Sequence, residues 1–341
     1  MNGVHNGKTA WLFAGQGSQL PGMGRDIYEQ FPQTRAIFAS DAAGFDLRKL
    51  CFDSPAELLG NTRYTQACMA AFAAAVVLIL RERELSCDIA AGLSLGEYSA
   101  LHAAGVWDAE TLIALLGYRG AIMAEASKAA GGKTAAKTPE AADALKTAKD
   151  TQVAPAAEPK PVWMLAVFGL AEKAVEETVC EVSQQSGLTL GCTSYNCPGQ
   201  VVIGGQPQAV VLAQTLLMER GARRCVPLAT SGPFHTSLMD GAAVRLAKRL
   251  AQTPFKPQRI PVIFNVTGQT ANDAEIPGLL ARQIASAVRF SQSLQNLTVA
   301  GVTRAIEIGP GRVLAGLVRK TAADIEVVSI QTASDLKEVI R

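Results

Sequence analysis

The stretch Asp88-Ile89-Ala90-Ala91-Gly92-Leu93-Ser94-Leu95-Gly96-Glu97-Tyr98-Ser99-Ala100-Leu101 decides the fold. An apolar run of strand length ends at Gly92, a helix-compatible stretch opens at Leu95, and Ser94 sits on the turn between them. Glycine stands two residues before the serine and two residues after it. In so tight a turn, side chains on the neighbours would clash, and the serine hydroxyl is pushed out at the strand end. The helix start beneath it offers free N–H donors to a developing oxyanion. G-x-S-x-G by itself is a pattern of moderate specificity, and the bland reading is a plain strand–helix turn. Its place between a strand pattern and a helix pattern makes Ser94 the candidate nucleophile.

Working outward, residues 9–14 read as a first buried strand that feeds the glycine-rich loop Gly15-Gln16-Gly17-Ser18-Gln19-Leu20. The loop has no Gly-Lys-Ser/Thr, and Leu20 replaces the third glycine of a dinucleotide fingerprint, so nucleotide binding is rejected. Residues 25–40 look helical, and residues 61–84 form a long helix that is apolar nearly all round and therefore internal. Asp108 caps a further helix to about residue 127. From 128 to 161 the composition shifts to Ala, Lys, Thr, Pro and Glu, which predicts an exposed insertion unable to dock on a core.

From 162 to 228 the pattern is strand, helix, strand, strand, helix, strand, the order of a ferredoxin-like unit. Helices at 240–250 and 276–286, strands at 262–265 and 304–308, and a last helix to about 320 complete the chain. The expected fold class is α/β: a mainly parallel sheet covered on both faces, with a small subdomain inserted. The corresponding division is 1–127, 128–161, 162–228 and 229–341.

The chain has 341 residues and a formal net charge of +2, so its composition gives no hint of a nucleic-acid partner. Seven cysteines without C-x-x-C pairs suit free thiols in a reducing cytosol. Residues 1–8 are polar and read without a signal segment, and the apolar run 67–80 is too short to span a bilayer. A cytoplasmic protein without a membrane partner or a metal site is expected.

A nucleophilic serine needs a base, and there are three histidines. His5 lies in the polar tail, and His102 is on the helix that leaves the Ser94 turn, about two turns on, unable to fold back. His235 remains, on the loop that joins the small subdomain back to the large one, hence at a cleft. The aspartates between serine and histidine are Asp108, a helix cap, and Asp143 and Asp150 in the insertion. None reads as a buried orienter, so a main-chain or amide oxygen should hold the histidine. Arg119 falls on the stripe of Leu112, Leu115, Leu116, Ile122 and Met123. Two readings stay open: a side chain that snorkels or pairs with a distant acid, or a fork for a substrate carboxylate.

These motifs resemble the malonyl-CoA:acyl carrier protein transacylases and the acyltransferase domains of fatty-acid and polyketide synthases. The resemblance rests on Gly15-Gln16-Gly17-Ser18-Gln19, Gly92-Leu93-Ser94-Leu95-Gly96-Glu97, Tyr118-Arg119-Gly120, Asn196-Cys197-Pro198-Gly199-Gln200, Gly232-Pro233-Phe234-His235 and Glu307-Ile308-Gly309-Pro310-Gly311, in the family's order. It implies an α/β-hydrolase-like core with a ferredoxin-like subdomain. It further implies Ser94 as the acylated residue, His235 as base and acid, and Arg119 on the malonyl carboxylate. Gln16 and the backbone N–H of Leu95 would form the oxyanion hole, Gln283 would orient the histidine through its main chain, and Phe234 and Asn196 would face substrate. No cofactor is implied beyond the coenzyme A thioester as substrate; the implied partner is an acyl carrier protein. Leu93 stands where many members have His, and Gln66-Ala67 replaces a frequent Gln-Pro, which puts any substrate-side role of Gln66 in doubt. The competing readings are a serine hydrolase of thioesters or lipids, and a non-catalytic docking module on the same fold.

Overall fold

Strand β1 (Lys8–Phe13) leads through short helices α1 (Arg25–Gln30), α2 (Arg35–Phe38), α3 (Leu47–Asp53) and α4 (Ala56–Leu59) to the long helix α5 (Thr62–Glu82). β2 (Ile89–Gly92) passes through the Ser94 turn into α6 (Gly96–Ala103), and α7 (Ala109–Thr134) follows. Then come β3 (Met164–Phe168), α8 (Glu172–Ser186), β4 (Leu190–Cys197), β5 (Gln200–Gly205), α9 (Pro207–Glu219) and β6 (Arg224–Pro227). The chain returns through α10 (Asp240–Leu250), β7 (Val262–Ile263), α11 (Ile276–Gln283), α12 (Phe290–Val299), β8 (Val302–Ile308), α13 (Val313–Thr321), β9 (Glu326–Ile330) and α14 (Ala333–Val339). This computed structural model describes residues 7–134 and 161–341, so His5 and most of the expected insertion lie outside the described residues.

The first sheet has the order β7-β2-β1-β8-β9, with every pairing parallel. Phe13 is in register with Gly92 on one side and Ile308 on the other. Three strands therefore end level, and the loops that leave them, at Gly15, Ser94 and Gly309, share one edge. The carboxyl edge of a parallel sheet is where such folds place ligands. The second sheet is antiparallel in the order β4-β5-β3-β6, as expected of a ferredoxin-like unit. Strand alternation divides its faces: Leu165 and Val167 pack with Val175, Val179, Val210 and Leu217 of α8 and α9, while Met164, Ala166 and Val202 join the main core. The antiparallel sheet is tied to the segment between α11 and α12, where Tyr195 N–H donates to Val288 O at 2.8 Å and Val288 N–H to Thr193 O at 2.9 Å.

Among the described residues, α5 is the one helix long and apolar enough to cross a membrane, and most of it is buried inside the protein. Helix α7 packs closely against the first turn of α5. A Cβ on Gly120 would meet Thr62 O at 2.5 Å. All seven cysteines are free thiols.

Some expected elements differ. The helix expected over 25–40 is broken, because Pro32 lacks an N–H and pushes Phe31 to φ −127°, ψ 86°. The helix expected to stop near 127 continues to Thr134, since Lys128-Ala129-Ala130 are good helix formers and propagate the turn. Residues 128–134 of the expected insertion are therefore helical. The strand expected to reach 265 ends at Ile263, and the sequence pattern predicts none of α3, α4, α12, β9 and α14.

The α5–α7 contact makes a stability prediction. Gly120→Ala should destabilise by about 1–3 kcal/mol through overpacking against rigid backbone. Gly241→Ala on α10 has open space around the new Cβ and should stabilise by about 0.5–1 kcal/mol. Denaturant melts of both variants check the opposite signs.

Candidate active site

Ser94 sits at φ 54°, a left-handed conformation rare outside glycine. The turn holds because its flanks are bare: a Cβ on Gly92 would lie 2.0 Å from Gly96 C, and one on Gly96 would lie 2.2 Å from Phe13 O. Asn265 pins both ends. Its Oδ1 accepts from Ser94 N–H at 2.7 Å, and its Nδ2 donates to Gly92 O at 2.7 Å. Gln283 Nε2 donates to Ser94 O at 2.9 Å.

His235, also left-handed at φ 62°, brings Nε2 within 2.8 Å of Ser94 Oγ. Its Nδ1 faces Gln283 O at 2.8 Å and Ser286 O at 3.1 Å. Two carbonyl acceptors require Nδ1 to carry the proton, which leaves Nε2 as the acceptor of the serine hydroxyl. Burial, reinforced by the Arg119 charge, lowers His235 to about 4, although the two carbonyls favour the charged ring. The imidazole is thus neutral at physiological pH and ready to take a proton. His102 is a buried structural residue, with Nδ1 2.9 Å from Trp107 O.

Arg119 is 1% exposed, which ends the snorkelling reading. No carboxylate lies within 4.0 Å of it among the described residues, so no salt bridge holds it, and Glu97 acts on its charge only from a distance. Neutral oxygens hold it instead: Nη1 donates to Gln66 Oε1 at 2.7 Å, and Nη2 to Gln283 Oε1 at 3.0 Å and Ser94 Oγ at 3.2 Å. Its Cζ lies 5.4 Å over the Tyr98 ring. The Gln66 position set in doubt by the missing proline therefore grips the arginine, because Gln66 projects from α5 onto α7 whatever residue follows it.

Gln16 and Leu95 flank the serine as expected, but the Gln16 side chain is engaged, its Nε2 donating to Thr62 Oγ1 at 2.8 Å. The main-chain N–H groups of Gln16 and Leu95 meet no acceptor among the described residues. Both residues line a cavity of about 300 Å³ between the two sheets, together with Ser94, His235, Arg119, Met123, Asn196 and Phe234. Asn196 Oδ1 accepts from Ser194 Oγ. Among the basic residues near the cleft in sequence, Arg220 is taken by Glu181, and Arg224 and Arg249 lie over Phe168 and Tyr118.

Sequence reasoning gave no role to Asn265, Glu97 or Ser286. Glu97 is fully buried on α6, where Oε2 accepts from Asn265 N–H. No sequence signal marks it, because Tyr98, Ser99 and His102 make the same helix look half-polar until its burial is seen. Asn265 and Ser286 act across 171 and 51 residues of chain and left no local mark.

A neutral, buried His235 makes a pH prediction. Labelling of Ser94 by a neutral fluorophosphonate should stay within about twofold between pH 7 and 5, since the base remains unprotonated there. A midpoint near the usual histidine value would show that His235 is solvated instead.

The acyl transferase domain model matches residues 10–190. The malonyl CoA-acyl carrier protein transacylase of Bacillus subtilis is 36% identical over 98% of this chain and 96% of its own length. An acyl carrier protein S-malonyltransferase from Vibrio cholerae superimposes with a TM-score of 0.84 at 36% identity, covering 97% of this chain and 99% of its own. A malonyl-transacylase solved in complex with its type II PKS acyl-carrier protein superimposes equally, at 0.84 and 33% identity, over 98% of this chain and 99% of its own. Identity of this level over the whole described length, on the same fold, means that the chain belongs to the malonyl CoA-acyl carrier protein transacylases of the acyl transferase family.

Proposed function

We propose that the protein transfers a malonyl group from malonyl-CoA to the phosphopantetheine thiol of an acyl carrier protein through a malonyl-serine intermediate. The observation that carries this reading is the buried Arg119, held by two glutamines with Nη2 3.2 Å from Ser94 Oγ. A full positive charge beside the nucleophile, among neutral partners, suits an acyl group that carries its own carboxylate. A hydrolase of neutral esters gains nothing from it. The intact serine–histidine contact speaks against a docking module.

In the first half-reaction, Ser94 Oγ attacks the thioester carbonyl while His235 Nε2 takes its proton. The Gln16 and Leu95 N–H groups receive the oxyanion, and the proton passes to the departing coenzyme A sulfur. In the second, the carrier thiol gives its proton to His235 and attacks the ester carbonyl, the acyl–Oγ bond breaks, and His235 Nε2 returns the proton to Ser94 Oγ. Gln283 O and Ser286 O keep the ring in the required tautomer. Asn196 faces the substrate across the cavity. Coenzyme A thioester is substrate rather than resident cofactor, and a cytoplasmic site of action goes with this reading. In this reading the chain divides after 127, 161 and 228, with α7 running on into the second segment as far as Thr134.

Arg119→Ala tests the dicarboxylate argument. Loss of a buried charge-assisted pair should reduce kcat/KM for malonyl-CoA by about thirtyfold or more, with acetyl-CoA affected far less. A parallel fall for both substrates would make Arg119 a scaffold residue.

Phe234 is buried beside His235 and lines the cavity. Its rigid ring leaves no room for an α-methyl group, at a cost of about 1–3 kcal/mol. In competition, wild type should prefer malonyl-CoA to methylmalonyl-CoA by roughly ten- to hundredfold. Phe234→Ser should narrow the gap, and an unchanged ratio in a folded, active variant would remove Phe234 from the acyl pocket.

A further inference from the structure

Behind the serine lies a small buried charge system. Among the described residues, the fully or almost fully buried ions are Glu97, Arg119 and Glu307. Glu307 is engaged elsewhere, accepting from the N–H groups of Leu314 and Ala315 at the start of α13 and from Ser329 Oγ. Glu97 and Arg119 are thus each other's electrostatic partners, although no salt bridge joins them. Glu97 is also tied to the nucleophile: its Oε2 holds Asn265 N–H, and Asn265 holds Ser94 N–H and Gly92 O. Among the described residues its other oxygen, Oε1, has no well-formed hydrogen bond, and Tyr98 Oη and Arg119 Nε lack one too, although Arg119 acts on the Tyr98 hydroxyl and Gln283 on the Glu97 carboxyl.

Charge counting sets the problem. The unloaded site holds one cation and one anion out of water. A malonyl carboxylate on Arg119 would leave two anions against one cation, in a region where an uncompensated buried charge costs several kcal/mol. The neighbours carry no balancing charge in the unloaded site. Gln66, Gln283 and Asn265 are neutral, and β1, β2 and α5 bury no charged side chain. His235 on its loop is neutral, and burial raises the Tyr98 hydroxyl well above its usual range.

We propose that Glu97 is the counter-charge of the unloaded site and yields it to substrate: when the malonyl carboxylate takes Arg119, Glu97 accepts a proton from solvent at Oε1. The inference rests on the malonyl-transfer reading. The covalent step is unchanged: the Ser94 Oγ–acyl bond forms, the acyl–sulfur bond breaks, and the hydroxyl proton reaches the coenzyme A sulfur through His235. The additional proton enters from water and remains on Glu97 until the malonyl group leaves. Burial already raises Glu97 to about 7 in the unloaded protein, with Asn265 N–H, Gln283 and Arg119 all opposing the rise. Pairing Arg119 with substrate removes one of those opposing influences and adds a negative charge, so the carboxyl rises further. Malonylation is then favoured at low pH and weakened as pH passes the unloaded value.

The test is the equilibrium between malonyl-CoA plus enzyme and malonyl-enzyme plus coenzyme A, read by the mass of the Ser94 peptide at pH 6, 7 and 8. The constant for wild type should fall by about tenfold from pH 6 to pH 8. Glu97→Gln keeps an oxygen for Asn265 N–H and should give a flat constant. Acetylation of wild type by acetyl-CoA should also be flat, and this arm stands if the variant does not fold. A flat constant for malonyl in wild type overturns the proposal, as does an equal fall in Glu97→Gln or with acetyl. Absence of any malonyl on Ser94 would sink the malonyl-transfer reading instead.

Discussion

The contact between Gly92 and Gly96 sets the rest of the structure. Gly92 passes so close to the Gly96 backbone that no Cβ fits on it, Phe13 O leaves no room for one on Gly96, and these two bare positions let the chain turn from β2 into α6 with Ser94 between. The left-handed serine costs roughly 1–2 kcal/mol, and the structure offsets it by clamping. Asn265 holds the amide before the turn's tip and the carbonyl at the end of β2; Gln283 holds the carbonyl of the serine itself. Because Gly96 also lies against Phe13 O, the same contact locks α6 onto β1 and fixes where the hydroxyl emerges.

One residue then connects the two halves of the chemistry. Gln283 presents its main-chain oxygen to His235, its side-chain oxygen to Arg119 and its side-chain nitrogen to Ser94 O. A shift of α11 would therefore disturb base, cation and nucleophile together. The proposed serine–histidine pair therefore needs no third acid: two carbonyls fix the tautomer, and burial keeps the ring neutral. A carboxylate in that place would favour the charged imidazolium and would face a dicarboxylic substrate across a small cavity.

Much of this was legible in the sequence because it is local. The glycine spacing around Ser94, the strand–helix alternation and the arginine on an apolar stripe are all carried within a few residues of chain. His235 followed from elimination among three histidines, and Gln283 from the family resemblance. What escaped depends on distant segments meeting. Asn265 reads as the end of a strand until β7 stops at Ile263 and frees its side chain to cap the Ser94 turn. Gln66 reads as one more residue of a buried helix until α5 and α7 are packed through Gly120. Glu97 reads as a polar residue in a motif until the helix carrying it proves to be buried on all sides.

The central claim is that Ser94 carries malonyl between two thiols and withholds it from water. The direct measurement is to incubate the protein with malonyl-CoA, follow the mass of the Ser94 peptide, remove free substrate and add a holo acyl carrier protein. The account predicts a malonyl increment on that peptide which persists in buffer and moves to the carrier's phosphopantetheine thiol. A Ser94 peptide that never gains the increment, or loses it to water as fast without the carrier as with it, would contradict the account.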